Sequence, residues 1–580
     1  MASPENSVMS YGKVDDSVEQ EQSLRRSSRK RMLIMSVSGI VLAAIVIAGC
    51  IGLFAHTRNN TDSTPNSTAV TPSSVLEDIC NATRFRNSCI ASISQFEAEA
   101  NTTNPQILFN LSLIAAINEL SKLQVFTSKL ITTTSNSSDE DLKSALEVCE
   151  EVLDDAFYRL NDSISSNSSS IDDLRTWITA ILTDQETCLD ALREMKSTES
   201  HLKRIDEMKT AMKFPSEFAS NSLAIATRVL SYLSSYDVLN ERKLLGTDTE
   251  FPSWVSLGDR RLLEEVKPVP NLTVAKDGSG DFATIGKAVR KIPRNSTKRF
   301  VIYVKEGVYD EEYVQIKKSM WNLMLYGDSK DKTVISGGKN CKEHKIKTFH
   351  TATFGVSGKG FIGRDIRFIN TAGPENGQAV AFRSDSDQSV CYKCAFEAFQ
   401  DTFYLHSGRQ FYRDCDIIGT VDFIFGNAAA VLQNCRIMPR QPMENQSITI
   451  TAQGKNESNQ TSGFSIQNCT IFPLDGNVTA RTYLGRPWKD FSTTVVIHSH
   501  IHSFLDPSGW SRWNSSEPPR TIYYGEFENF GEGSAVDRRV NWTGYKPSLT
   551  AIEAERFSVK SFIKGEDWLP ATSVPFNSNL

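Results

Sequence analysis

Two aspartates 21 residues apart, Asp401 and Asp422, are the residues of this chain whose type and spacing suggest chemistry. They lie in the stretch from Gln378 to Phe425, where aromatic and β-branched segments align on Phe396, Ile417 and Ile437, at intervals of 21 and then 20 residues. A period near 20, with short strands between polar or glycine turns, is the signature of a solenoid of parallel strands. Successive coils stack at roughly 5 Å, so one period places both carboxylates on the same face of adjacent strands. Gln378 sits one slightly longer period before Asp401, and Gln400 stands beside it. The pattern predicts a column of amide, carboxylate and carboxylate on one wall. Two acids so close cannot both ionise freely, and separating their pKa values is a route to acid and base roles.

The elements that must position this column begin near Asn271, where strand-like segments take over: LTVAKDGSGDFATIGKAV, RFVIYVKEGVYDEEYVQI, NLMLYG and KTVISGG, then the coils. Ile285 to Ile292 reads as a short helix capping the open end of the solenoid. SITITAQG, GFSIQNCTIF and TTVVIHSHI are later strands, and Ala551 to Phe562 reads as a helical tail packed back on the barrel. From Val75 to about Tyr236 the pattern is helical instead, with apolar residues at three- and four-residue intervals. SNSSDED and NSSSIDD supply Ser or Asp for N-caps, so three or four long helices in an up-and-down bundle are expected. The four cysteines there, Cys80, Cys89, Cys149 and Cys188, allow three pairings. Cys80–Cys89 would staple a short hairpin, and Cys149–Cys188 would tie two bundle helices.

The chain is too long for one ordinary domain. Residues 1–31 form a basic tail ending in RRSSRKR, and Met32 to Phe54 is a mostly apolar run long enough to span a bilayer. Positive charge before it predicts a cytosolic tail and a lumenal remainder. A cleaved signal peptide is the competing reading, and the length of the span favours a signal anchor. Both readings send the rest of the chain into the secretory pathway, which suits roughly seventeen N-x-S/T sequons and the eleven cysteines. Residues 55–74 read as a stalk, 75–236 as the bundle, 237–269 as a linker and 270–576 as the solenoid. The linker holds two dibasic pairs, Arg242–Lys243 and Arg260–Arg261, placed where proteolysis concentrates. The net charge of −6 divides into −11 over residues 56–263 and +4 over 264–580. A mildly basic C-terminal half suits an acidic polymer.

Ordered strings in the C-terminal half carry a resemblance: GVYDE from Gly307, GQAVAFR around Gln378, QDTFYLHS from Gln400, VDFIFGNAAAV around Asp422 and LGRPW from Leu484. Residues 270–576 resemble the catalytic domain of plant pectin methylesterases, and the bundle resembles the plant invertase and pectin-methylesterase inhibitor family. The resemblance implies a multidomain protein, an all-α four-helix bundle followed by an all-β right-handed parallel β-helix. It implies hydrolysis of C6 methyl esters in homogalacturonan, releasing methanol, with the bundle an inhibitory or folding pro-domain removed by proteolysis. Asp422 would be the nucleophile, Asp401 the acid and base, and Arg486 the cation that keeps Asp422 ionised. Gln378 and Gln400 would stabilise the oxyanion, while Thr348 and Trp488 touch substrate. Phe423 and Trp510 would add to the aromatic lining, with Phe403, Phe411 and Phe425 left as core or groove wall. The inhibitor family carries the two local bridges Cys80–Cys89 and Cys149–Cys188.

Cys415 and Cys435, twenty residues and so one coil apart, match a disulfide of the esterase family. CYKC at Cys391–Cys394 reads as buried thiols, since no second such pair and few histidines stand nearby. His406 gives no triad with a serine and is read as structural. No cofactor, metal or nucleic acid is expected. The expected partners are pectin, a processing protease, free inhibitor proteins and, before processing, the membrane. A calcium-dependent lyase would want clustered acids rather than acids paired with amides. An inactive wall-binding protein would have lost an acid or a glutamine, and none is lost.

Overall fold

The computed structural model describes residues 71–134, 138–165, 170–230, 268–474, 476, 478–514 and 517–580. The basic tail, the apolar run Met32–Phe54 and both dibasic pairs lie outside the described residues. Among the described residues no helix is long and apolar enough to cross a membrane.

The chain enters the described part through α1 (Pro72–Asn81), so Pro72–Ser74 are helical rather than stalk. Thr71 explains the early start: it caps the helix, exchanges hydrogen bonds with Ser74 and is followed by proline at the first turn. Cys80–Cys89 joins α1 to α2 (Arg86–Ser94). Four long helices follow: α3 (Pro105–Thr134), α4 (Glu140–Ser165), α5 (Ile171–Arg193) and α6 (Glu199–Ile225). Asp139 accepts the Leu142 N–H at the start of α4, and Ser170 caps α5 in a reciprocal pair with Asp173. The second bridge, Cys149–Cys188, ties α4 to α5.

Beyond residue 268 the described strands form three sheets of eleven, seven and eight strands, with every adjacent pair parallel. The register follows the sequence period: Phe396 opposes Ile417, and Ile417 opposes Ile437. The later coils turn from the eleven- to the eight-stranded sheet at a left-handed residue. Lys393, Asp414, Asn434, Asn468 and His498 occupy this corner in successive coils, with φ between 47° and 57°. Asn, Asp and His tolerate that conformation better than other side chains with a Cβ. The next residue points inward, so Cys394, Cys415, Cys435, Cys469 and Ser499 form a buried column.

Within that column Cys415 and Cys435 are free thiols, contrary to the expected bridge. The Cys415 Sγ donates towards the carbonyls of Cys391 and Arg413 at 3.4 and 3.3 Å, and Cys435 towards those of Tyr412 and Gln433 at 3.6 Å. Stacking in register leaves the two sulfurs within hydrogen-bonding reach of each other and unbonded. Cys391 and Cys394 are buried free thiols as well.

Phenylalanines fill the interior in tiers. Phe354 stacks on Phe382 at 5.8 Å, Phe368 on Phe396 at 5.7 Å, and Phe396 on Phe403 at 4.1 Å. Ile285–Val289 is a short helix packed over the first coils, and Ala551–Glu555 and Val559–Ile563 cover the outer face of the eleven-stranded sheet. Phe411 belongs to that outer cluster. Because Phe396 is fully buried between two rings, Phe396→Ala should cost about 3–5 kcal/mol. Denaturant unfolding of the full chain checks this, and a loss under 1 kcal/mol would show that the tier does not carry the core.

Candidate active site

Asp401 and Asp422 occupy equivalent places in neighbouring coils. Each lies two residues before a strand of the seven-stranded sheet, Phe403–Leu405 and Ile424–Gly426, rather than within it. Phe403 opposes Ile424, and the Asp401 N–H donates to the Val421 carbonyl at 3.0 Å. Both aspartates are left-handed, with φ of 61° and 51°. A non-glycine residue held there costs on the order of 1 kcal/mol or more, and such strain gathers at functional sites.

Arg486 reaches Asp422 from the loop after the strand Thr482–Gly485. Its Nε donates to Oδ1 at 2.8 Å and a terminal nitrogen to Oδ2 at 2.6 Å. Oδ1 also accepts the Thr449 hydroxyl at 2.6 Å, so the carboxylate is fixed by three donors. Gly485 lets this strand lie close: a Cβ there would collide with the Thr451 side chain.

Among the described residues Asp401 pairs with no such cation. Burial pushes its carboxyl well above the usual range, and the charges of Asp422 and Glu194 push the same way against Arg486. One acid is gripped by a guanidinium, and the charged form of its neighbour is disfavoured by burial first and then by charge. The side-chain amides of Gln378 and Gln400, both half-buried, donate to no other group among the described residues, and both line the cavity that holds the acids.

That cavity, of about 640 Å³, also gathers Thr348, Arg486 and Trp488, so all seven predicted site residues meet in one place. Phe425, left open between core and wall, is a wall residue; Phe403 is core. Phe423 and Trp510 do not reach the cavity. Both are buried in the coil interior, Trp510 stacked on Tyr524 at 4.3 Å, because an apolar ring on an inward position takes the core.

Sequence reasoning missed Trp513, which stacks on Trp488 at 6.4 Å and receives the Arg486 guanidinium over its ring at 4.5 Å. It also missed Tyr404, one strand position from Phe403 and stacked on Phe425 at 4.2 Å. The alternation of strand side chains could have found Tyr404. His406 is buried and kept neutral by burial and by Arg383 and Arg159, and its Nε2 pairs with Thr187 at 2.8 Å.

The family models fit this geometry. Residues 271–566 match the Pectinesterase model and 74–225 match Plant invertase/pectin methylesterase inhibitor. The chain is 50% identical to Pectinesterase 3 of Phaseolus vulgaris and 48% identical to Pectinesterase 1 of Arabidopsis thaliana, covering 99% and 98% of each chain respectively. The solved pectin methylesterase from carrot is similar at 45% identity and a TM-score of 0.53, over 55% of this chain and all of that one. The chain belongs to the pectinesterase family.

In this pectinesterase the inhibitor-like bundle lies against the cavity. Glu194, just past the end of α5, accepts the Thr348 N–H at 2.9 Å, and Lys489 donates to Glu186 at 2.7 Å and Asp190 at 2.6 Å. Lys347 pairs with Asp141, Lys318 with Asp155 at 2.7 Å and Arg409 with Asp173 at 2.7 Å. Glu151 bonds Gln315 at 2.6 Å and His350 at 3.0 Å and lies 3.4 Å from Arg383. Burial raises Glu194 to about 7 despite Thr348 and Lys347, and raises Asp155 to about 6 despite Lys318. Glu151 is the opposite case: burial alone would raise it, yet His350 and Arg383 bring it to about 2.

A carboxyl raised by docking favours the docked bundle below its free value and loses that contribution as pH rises through the raised value. Glu151, depressed by docking, contributes above its free value and loses that only in strong acid. Between about pH 4.5 and 7 the raised acids therefore decide, and docking should weaken with rising pH. Hydrogen exchange at the Thr348 amide should quicken over this range, and Glu194→Gln should flatten the change. Equal pH dependence in both proteins would clear Glu194 of the role.

Proposed function

We propose that Asp422 is the nucleophile of a metal-independent pectin methylesterase acting on C6 methyl esters of homogalacturonan, with Asp401 as its acid and base. The observation that carries this is the asymmetric pair, Asp422 gripped at both oxygens by Arg486 and Asp401 buried beside it, its carboxyl pushed well above the usual range by burial. A carboxylate oxygen of Asp422 attacks the ester carbonyl carbon, and the electron pair of the C=O moves onto oxygen. The amide N–H groups of Gln378 and Gln400 meet that oxyanion. As the carbonyl re-forms, the C–O bond to the methoxy group breaks and Asp401 gives it a proton, releasing methanol. Asp401, now anionic, takes a proton from water. The resulting hydroxide attacks the anhydride, frees the galacturonate carboxylate and restores Asp422. Trp488 offers a face to a sugar ring and Thr348 contacts the chain.

The bundle reads as an inhibitory pro-domain. Its Glu194 occupies the Thr348 amide assigned to substrate, and Glu186 and Asp190 occupy Lys489. Proteolysis at Arg242–Lys243 or Arg260–Arg261 would free the catalytic part. The apolar run and sequons support a membrane-anchored precursor in the secretory pathway, with the mature enzyme in the cell wall.

Asp422→Asn should abolish methanol release from esterified pectin by the processed enzyme while leaving its fold intact, because the amide is isosteric but not nucleophilic. Near-normal release from a folded variant would remove Asp422 from the role. Gln378→Ala should lower kcat by roughly 10²-fold with little change in KM, as loss of an oxyanion donor does. A change confined to KM would make it a binding residue only.

A further inference from the structure

A second cavity, of about 720 Å³, opens where the first turn of α5 meets the β-helix and the C-terminal helices. Five cations line it, Arg175, Arg409, Lys455, Arg556 and Lys564, against one lining acid, Asp172. Three of them are already paired. Arg409 holds Asp173 and Asp387 at 2.7 and 2.6 Å, while Arg175 and Lys564 share Asp172 at 3.1 and 3.5 Å. Lys455 and Arg556 are different. Among the described residues neither has a carboxylate within ion-pair distance, and the half-buried Lys455 ammonium finds no acceptor. Burial and the charge of Arg175 lower Lys455 to about 8, so the empty cavity works against its charge and an anion beside it would restore it.

The same cavity has an aromatic side. Tyr523 stacks on Phe557 at 5.5 Å, Phe557 meets Phe562 at 5.4 Å, and Phe491 also lines the space. A small inorganic anion would use the cations and leave the rings idle. Sugar rings carrying carboxylates would use both, and the volume falls in the range of sites for extended small ligands. The cavity adjoins the catalytic one through the segment from Lys489 to Phe491, and its α5 wall lies about 27 Å along the helix from Asp190.

We propose that this cavity is a second binding site, for a short run of de-esterified uronate sugars, distinct from the catalytic cavity. The identity of the uronate rests on the pectin reading; the existence of an anion site rests on the cavity. Lys455 and Arg556 would take carboxylates, and Tyr523 and Phe562 would lie against sugar faces.

Titration calorimetry of the full chain with an unesterified galacturonate trimer tests this. The trimer should bind, and Lys455→Gln with Arg556→Gln should weaken it at least about tenfold, the scale of a lost charged contact. Arg486→Gln, in the catalytic cavity, should leave that binding in place, and the methyl-esterified trimer should bind about tenfold more weakly. Unchanged affinity in the double variant would overturn the site, as would loss of binding in Arg486→Gln alone. Inorganic phosphate displacing the trimer at equal concentration would overturn the uronate assignment. Methanol release is a separate readout: its survival in Asp422→Asn would sink the esterase mechanism and leave the trimer result standing.

Discussion

The guanidinium of Arg486 holds both oxygens of Asp422, at 2.8 and 2.6 Å, and the charge state of the cavity follows from that grip. A bidentate arginine stabilises the carboxylate form and fixes its plane. Burial one coil away pushes the Asp401 carboxyl well above the usual range, and the charge of Asp422 adds to that push. A lone arginine near two equivalent acids would leave them to share a proton. Here the third donor, Thr449, breaks the equivalence in the same direction.

Geometry of this quality needs a rigid support, and the coils supply it. In-register parallel pairing fixes Phe403 against Ile424 and Thr451 against Gly485, so the strands preceding or following each site residue are tied to one another. Asp401 and Asp422 can occupy a left-handed turn because their neighbours in the ladder over-determine it. Elsewhere the same conformation serves only to turn the chain, as at Asp414 and Asn434. The conformation alone therefore does not mark the site. The cavity and the arginine do.

How much of this was legible in the sequence depended on whether the information was periodic. Phe396, Ile417 and Ile437 announced their register because each strand repeats the spacing of the last. Asp401, Asp422, Gln378 and Gln400 followed from the same count, Arg486 and Trp488 came from a motif string, and Thr348 from the family resemblance alone. Phe423 and Trp510 misled because residue type does not tell a groove ring from a core ring, and both rings take inward positions in the coils. One-coil spacing brings the thiols of Cys415 and Cys435 together but does not decide whether they bond. Trp513 and the acids of α5 were out of reach, since no repeat links them to the strands they meet.

Opposite net charge on the two halves, visible in composition, accounts for steering but not for binding. Ion pairs at an interface repay much of their attraction as desolvation, and rim pairs are screened by salt. What holds surfaces together is more often apolar contact, and here it is specific. Phe349, Ala352, Val380, Tyr404, Phe425 and Ala452 of the β-helix belong to the same continuous apolar cluster as the bundle core, with Tyr313 and Trp488 at its edge. The pairs Lys489–Glu186, Lys347–Asp141 and Arg409–Asp173 also join the bundle to the β-helix. Charge then sets the register of docking while the apolar patch supplies its strength. Four of the patch residues, Phe349, Tyr404, Phe425 and Ala452, also line the catalytic cavity. The surface proposed to receive sugar rings is therefore the surface the bundle buries, so in the proposed reading substrate and bundle would compete for the same contacts rather than merely for the same charges.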